Sequence, residues 1–520
     1  MPRRTLSALA LLLASLPFAA SAQDIALTNT IQNMLAAPSV ARAHWGIHVT
    51  QMDGTPLVTI NEGQFFLPAS NNKLLTTAAA MALLPIDQHL TTTVTGALQS
   101  GIVKGDLTLH GAGDANLSGR AIPYVSPALR LPGDTPIDDL RYLNEFADQL
   151  KAAGVTRVEG DVLGDDTLMT WDPYPQDWSI DDTLWYYGAP INALMIGDNA
   201  VNLKIAPGTK AGDPAIVTLA PSLPYYTIEN RIVTVAKGAE AHTDMQRSAL
   251  VSGGSRVLRL YGTVALGAKP ISEDIAIEDP AEYAARGLKT ALEARGIAVT
   301  GAARAKHRVE PVFGFTREAT EPLDLDKAVA KIPALPDSIL AKHAGASLYD
   351  DVMWTMKISQ NQHAEMFLRL LGLMVGKDGS EAQGVRVVRS FLTTRAGIDS
   401  EDFALVDGSG LSGHDLITPR ALTQLLRYAA TQPWGLRWKA SLPIGGEDGG
   451  LRARFPDSPL KDHVFAKTGT LGEVHALSGY LDCASGQTVV FSIISNSHTP
   501  SSSVDMQVMD KVIATIQAAE

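Results

Sequence analysis

Strand-and-turn patterns stand at both ends of this chain, and each is accompanied by a helical pattern. Near the start, Gly46 to Gln51 and Pro56 to Ile60 read as two strands around Asp53-Gly54, a dipeptide that suits a tight hairpin. Ser70 to Leu84 then reads as a helix, rich in Leu and Ala and stopped by Pro85. Near the other end, His463 to Thr470, Val474 to Leu481 and Thr488 to Ser495 read as three strands with short turns. A last helix, Val504 to Ala519, carries Val504, Val508, Val512 and Ile516 at fourfold spacing. With one lysine and no basic face, that stripe suits docking on a sheet rather than lying on a membrane. Two such ends can complete one antiparallel sheet flanked by helices, an α+β architecture.

The middle is built differently. From 93 to 335, short β-like runs such as Thr92 to Leu98, Gly105 to His110 and Arg256 to Thr263 alternate with Gly, Pro and Asp turns. This interval reads as a β-rich insertion of two subdomains, with Pro333, Pro336 and Asp337 at its exit. Helical pattern resumes from Ser338 through Leu373. The outer unit is then split, residues 24–92 and 336–520, and no regular repeat is visible.

Arg3 and Arg4 precede the apolar run Leu6 to Ala20, and Ala20-Ser21-Ala22 supplies small residues for cleavage before Gln23. Residues 1–22 therefore read as a secretory signal, and the product as a periplasmic protein without a transmembrane anchor. Removing them takes the formal charge from −12 to −14. An acidic chain without a basic block is a poor partner for nucleic acid or an anionic membrane. The single cysteine, Cys483, excludes an internal disulfide and reads as an inert packing residue. The histidines are scattered, with no HExxH and no close pair suited to one metal, so the expectation is no metal and no cofactor.

Three short motifs carry chemistry. Ser70 and Lys73, three apart at a helix start, lie on one face. A lysine with a lowered pKa can take the serine's proton, and the helix terminus favours a developing oxyanion. A second Ser-x-x-Lys, Ser458 to Lys461, contains a proline and reads as loop. Ser359-Gln360-Asn361 falls inside a helical stretch that begins near Asp350; its hydroxyl could relay a proton, and its amide could orient substrate or lysine. Lys467-Thr468-Gly469-Thr470 lies on a strand whose edge could receive an extended peptide. There Lys467 and the threonine hydroxyls could hold a carboxylate, and Gly469 would admit another backbone closely. Taken singly, each motif is equally well a cap, a turn or a strand end. The three together, in this order and on these elements, are the serine acyl-transfer set of penicillin-binding proteins and class A β-lactamases.

On these motifs the chain resembles the D-Ala-D-Ala carboxypeptidase/endopeptidase family, the class C low-molecular-mass penicillin-binding proteins. The resemblance extends to Gly105-Asp106-Leu107, Gly111 to Asp114, Gly160 to Leu163 with Asp165-Asp166, Tyr187 to Pro190, and Asp407 to Ser412. It implies a penicillin-binding/β-lactamase-like transpeptidase domain with a large inserted β-rich region. It also implies an acyl-enzyme on Ser70, Lys73 as base, Ser359 as proton relay, and Asn361 and Lys467 as holders of the network. Lys467, Thr468 and Thr470 would face the substrate's terminal carboxylate beside Gly469, with the Ser70 and Thr470 N–H groups as oxyanion hole. The substrates implied are peptidoglycan stem peptides, and β-lactams would acylate the same serine. Asp182 and Tyr187 match residues of a side-chain pocket, and Trp178, Trp185 and Tyr186 beside them read as packing. Two departures stand out: Gln360 occupies the middle of the second motif, and Gly413 follows Asp407 to Ser412 where family members commonly carry Arg. The rival readings are a β-lactamase and a non-catalytic wall-binding protein on the same fold.

Overall fold

The two ends of the chain meet in one five-stranded sheet. In this computed structural model, which describes residues 22–126, 129, 138–247, 256–310, 314–456 and 458–520, His44–Gln51 pairs antiparallel with Thr488–Asn496 along its whole length. The strand order is Val464–Leu471, Val474–Asp482, Thr488–Asn496, His44–Gln51, Pro56–Ile60. The export segment lies outside the described residues except for Ala22, which opens the helix Ala22–Leu35. Among the described residues, no helix is long and apolar enough to cross a membrane.

Both faces of this sheet are covered. On one side Leu27, Ile31 and Leu35 of the first helix and Val508, Met509, Val512, Ile513 and Ile516 of the last pack on Ile47, Val49, Leu477 and Phe491. Val504 stays 36% exposed. A fourfold repeat overshoots one helical turn by about 40° a step, so the stripe drifts off the buried face and Met509 and Ile513 complete it. On the other side lies the helical core. Asn72–Leu83 buries Leu74, Leu75, Ala78 and Ala79 and ends where Leu84 turns extended before Pro85. Around it pack Asn361–Met374, Glu381–Thr394 and Pro419–Ala430, with Phe367, Leu370, Val388, Leu422 and Leu425 fully enclosed. Cys483 is buried just beyond the second strand of the hairpin, and burial pushes its thiol up to about 11.

The middle of the chain forms a second body around a seven-stranded sheet. Its main path runs Ala298–Val299, Arg157–Val158, Ile102–His110, His89–Gln99, Ile339–Ser347, and Val162–Thr170 joins Ile102–His110 to Ala303–Arg308. The helices Arg141–Ala152 and Pro280–Ala294 cover it through Leu143, Phe146, Leu288 and Leu292. Two three-stranded sheets accompany it, one of Ala200–Ala206, Ile216–Ala220 and Ile271–Ala276, the other of Tyr226–Val235, Thr243–Arg247 and Arg256–Ala265.

Two expectations need correcting here. Ser338 to Ser347 is not helical: Ile339–Ser347 is a strand paired with His89–Gln99. Its Ala-rich composition favours a helix locally, and a partner strand far away in sequence overrides that preference. The true helix start is marked by Ser347, whose side chain accepts from the Asp350 N–H. Nor is Ser359 inside a helix: Leu348–Lys357 ends before it and Asn361–Met374 begins after it, capped by the Gln360 side chain. The second Ser-x-x-Lys, Ser458 to Lys461, lies in turns and carries no helix.

Candidate active site

Ser70 sits in the single 3-10 turn Ala69–Asn71 that leads into the helix Asn72–Leu83. That turn is tightly boxed. Ala69 has φ 46°, a left-handed conformation that costs a non-glycine residue energy. Gly410, at φ 82°, lies so close that a Cβ there would stand 1.9 Å from the Ala69 carbonyl oxygen. Gly469 approaches from the other side: its Cβ would meet the Pro68 carbonyl oxygen at 2.7 Å and the Ser70 nitrogen at 3.1 Å. Strained backbone held by such neighbours is a common setting for a reacting residue.

Lys73, one turn on, is fully buried and donates to three acceptors: Ser70 Oγ at 2.9 Å, Asn361 Oδ1 at 2.7 Å and the Ser409 carbonyl at 2.8 Å. Burial pulls its pKa down to about 8, against the raising effect of Asp407, Glu365 and Asp415. A neutral amine keeps two N–H groups. Spent on Asn361 and Ser409, they leave the lone pair aimed at the Ser70 hydroxyl.

The second and third motifs form a matching pair. Lys467 is also fully buried, and its Nζ donates to Ser359 Oγ at 2.9 Å and to the Thr468 carbonyl at 2.7 Å. Burial, then the charge of Lys73, hold its pKa well below the usual lysine range. Ser359 has φ 62°, a second non-glycine residue in the left-handed region, at the junction of the two helices. Lys467 to Thr470 occupy the edge strand of the five-stranded sheet, where Thr468 is half-buried and Thr470 exposed. Asn71, with its amide nitrogen turned to that strand, donates to the Lys467 carbonyl at 2.7 Å. The chain thus brings Ser70, Lys73, Ser359, Asn361 and Lys467 into one connected group.

Asp182 and Tyr187 attach to the same group. Tyr187 donates its hydroxyl to Asp182 Oδ1 at 3.1 Å, and Asn361 Nδ2 donates to the Tyr187 carbonyl at 2.9 Å. Gln362 Nε2 holds the Tyr186 carbonyl at 2.7 Å. Burial raises the Asp182 carboxyl, and burial together with Asp182 pushes the Tyr187 phenol up to about 12. Tyr186 is 48% exposed, which departs from its expected packing role, whereas Trp178 is buried. Gly413 is exposed, with nothing within 4 Å of the place its Cβ would take.

Sequence reasoning gave no role to the acidic cluster behind Lys73. Asp407 accepts the N–H groups of Ser409, Gly410, Leu411 and Ser412 at 3.0, 2.6, 3.0 and 2.8 Å, and Trp178 Nε1 at 2.9 Å. Burial pushes Asp407 upward, but hydrogen bonds from Asp415, Gly410, Trp178 and Ser412 more than offset it and keep the carboxyl low. Burial and the Asp407 charge raise Asp415 well above the usual range and Glu365 to about 8. Asp407 is therefore the carboxylate of this cluster that holds its charge most firmly behind Lys73. The available signal was the run Asp407-Gly408-Ser409-Gly410, whose acid and small residues suit a loop folded around one carboxylate. His363 was missed as well. Fully buried two residues after Asn361, it bonds Asp351 and lies 3.3 Å from Asp198, which pairs with Arg120.

A hydroxyl aimed at a buried lysine amine, faced by Ser359 and by Lys467 of the sheet edge, defines a serine acyl-transfer enzyme. The model of the D-Ala-D-Ala carboxypeptidase 3 (S13) family matches residues 27–323 and 326–516, and the chain belongs to that family. It is a serine-type D-Ala-D-Ala carboxypeptidase. It is 30% identical over 508 residues to a D-alanyl-D-alanine carboxypeptidase of Actinomadura sp. (strain R39), covering 94% of this chain and 85% of that one. It is 26% identical to the carboxypeptidase DacB of Haemophilus influenzae, over 83% of this chain and 80% of that one. The fold is similar to the crystal structure of penicillin binding protein 4 from H. influenzae, with TM-score 0.76 and 21% identity, covering 94% and 98% of the two chains.

Proposed function

We propose that Ser70 attacks the carbonyl between the two D-alanines of a peptidoglycan stem peptide and forms an acyl-enzyme. The observation that carries this reading is the placement of Lys73 Nζ, shared among Ser70 Oγ, Asn361 Oδ1 and the Ser409 carbonyl. Neutral Lys73 takes the hydroxyl proton. Ser359, held by Lys467, passes a proton to the departing D-alanine nitrogen, and Asn361 keeps Lys73 in place. The Ser70 and Thr470 N–H groups receive the oxyanion, each such donor being worth roughly 10²–10³ in rate. Lys467, Thr468 and Thr470 take the terminal carboxylate, and Gly469 lets the peptide backbone lie close to the strand edge. Water then releases the shortened peptide. Asp182 with Tyr187 receives an ammonium group of the stem peptide. β-Lactams acylate Ser70 in the same way, and a crystal structure of the H. influenzae relative is a complex with a β-lactam.

Residues 1–22 act as the export signal for a periplasmic enzyme. The chain divides into a split catalytic unit, 24–92 and 336–520, and an inserted β-rich region, 93–335, whose sheet is continued by the flanking strands His89–Gln99 and Ile339–Ser347.

The test is intact mass after incubation with penicillin, beside a Ser70→Ala control. A lasting one-drug adduct absent from the control is expected. Consumed penicillin without an adduct would mean a β-lactamase, and untouched penicillin would mean a wall-binding protein whose motifs do not act.

A further inference from the structure

Scattered in sequence, three ionisable side chains meet behind the sheet edge. His475 opens the strand Val474–Asp482, His498 follows the strand Thr488–Asn496, and Asp505 lies in the first turn of the last helix. One ligand atom from each lies within 4.8 Å of the other two, and all three residues are buried. This corrects the expectation of no close pair suited to one metal: the histidine rings stack, centroids 4.4 Å apart and 3° from parallel.

The hydrogen bonds show that the cluster is not self-sufficient. His475 Nδ1 is 2.7 Å from Asp505 Oδ2, an ordinary ion-pair contact. His498 Nδ1 faces the Thr499 carbonyl at 2.9 Å, and a carbonyl can only accept, so Nδ1 carries a hydrogen. In the neutral ring the lone pair of His498 is then on Nε2. That atom, in a side chain only 4% exposed, has no hydrogen-bond partner and lies 3.8 Å from Asp505 Oδ2. Two acceptors thus face each other in a buried space at a distance too long for a hydrogen bond. The second Asp505 oxygen also lacks a partner. A shared cation satisfies all of these atoms at once.

We infer that His475 Nδ1, His498 Nε2 and the Asp505 carboxylate form a site for one divalent first-row metal ion, with zinc the best match. Two imidazoles and one carboxylate are borderline ligands that suit zinc rather than magnesium or calcium. The Thr499 carbonyl supplies the outer hydrogen bond that fixes a ligating histidine's tautomer. Bonds of about 2.0–2.1 Å place tetrahedral ligands about 3.3 Å apart. The His475–Asp505 contact must therefore open and the His498–Asp505 contact close by about half an ångström each, and the stacked rings must tilt so that their in-plane lone pairs converge on the ion. The ion ties the catalytic hairpin to the last helix, since His475 faces Thr470 across that hairpin. The inference does not depend on the roles proposed for Ser70 and Lys73.

The test uses mature protein without a histidine tag, stripped with a chelator and titrated with Zn²⁺. One equivalent is expected, with a higher Tm than the stripped protein because only the folded state binds. Co²⁺ in its place should give the visible bands of a four- or five-coordinate ion. His498→Ala, which keeps the His475–Asp505 pair, should lose the bands and weaken binding by more than the roughly 100-fold that supporting residues cost. Penicillin uptake reports that the variant is folded, and His498→Gln serves if the alanine variant is not. No binding by wild type, or the same stoichiometry and bands in the folded His498 variant, would overturn the site and leave an ion pair under a stacked imidazole.

Discussion

Lys73 Nζ stands 2.7 Å from Asn361 Oδ1, a contact between residues 288 positions apart. It ties the nucleophile helix to the junction carrying Ser359, and so fixes which way the amine's remaining valence points. Asn361→Ala removes one of three acceptors. The amine is then free to turn, and penicillin acylation of Ser70 should slow by about 10²-fold, the cost of misplacing a reacting group by about 1 Å. Asn361→Asp is the contrasting variant. It keeps the contact but adds a charge that favours the ammonium form, so it should also be slow at neutral pH and recover as pH rises. Stopped-flow acylation across pH distinguishes the two.

The wild-type profile has its own prediction. The base form of Lys73 is the neutral amine, and burial lowers its pKa to about 8. Below that value the neutral fraction falls about tenfold per pH unit, so acylation should climb with pH and level off above about 8. A rate flat through this range would remove Lys73 as the base.

The loop that carries the Ser409 carbonyl depends on one carboxylate. Asp407 accepts four consecutive N–H groups and the Trp178 indole. Asp407→Asn leaves one acceptor oxygen and turns an amide N–H₂ toward N–H donors. Unfolding in urea should show a loss of about 3 kcal/mol or more, since hydrogen bonds to a buried charge are expensive to break. An unchanged midpoint would mean that the loop is held elsewhere.

The contrast between motifs and surroundings follows from the range of each interaction. Ser70 with Lys73, and the run Lys467 to Thr470, are readable because one helical turn or one strand places their members, and local pattern reports both elements. The hairpin around Asp53-Gly54 and the closing three strands were legible for the same reason. Ile339–Ser347 was not, because its partner His89–Gln99 lies far away in sequence and outweighs an alanine-rich helical preference. Ser359 sits at φ 62° between two helices, a conformation that its residue type does not announce. The meeting of Glu365 with the Asp407 loop behind Lys73, and the cluster of His475, His498 and Asp505, are tertiary: each assembles from segments that give no sign of one another.

Gly469 offers a steric test of the strand's approach to the nucleophile. A methyl there would press on the Pro68 carbonyl at 2.7 Å and the Ser70 nitrogen at 3.1 Å. Both contacts are backbone, so relief requires the strand and the Ser70 turn to part. Gly469→Ala should therefore reduce acylation by about 10²-fold, with Ser70 and Lys73 intact. Normal acylation would show that the strand can retreat without disturbing the oxyanion donors.

Specificity should divide between Asp182 and position 413. Asp182 is half-buried and held by the Tyr187 hydroxyl, and Tyr187 is itself held by Asn361. Asp182→Asn removes the charge that would receive an ammonium group, while the Tyr187 contact can persist. It should lower kcat/KM by about tenfold for stem peptides with a free side-chain amine, with little change for their acetylated forms or for penicillin. Gly413 supplies no cation of its own, and its open surroundings accept a long side chain. Wild type should therefore cleave stem peptides carrying the carboxylate beside that amine no better than their amides. Gly413→Arg should create a preference for the carboxylate of about tenfold, read as the ratio of kcat/KM for the two peptides. A strong carboxylate preference in wild type would assign that recognition to a residue other than one at 413. An Asp182→Asn variant with undiminished discrimination between free and acetylated amines would move the ammonium site away from Asp182.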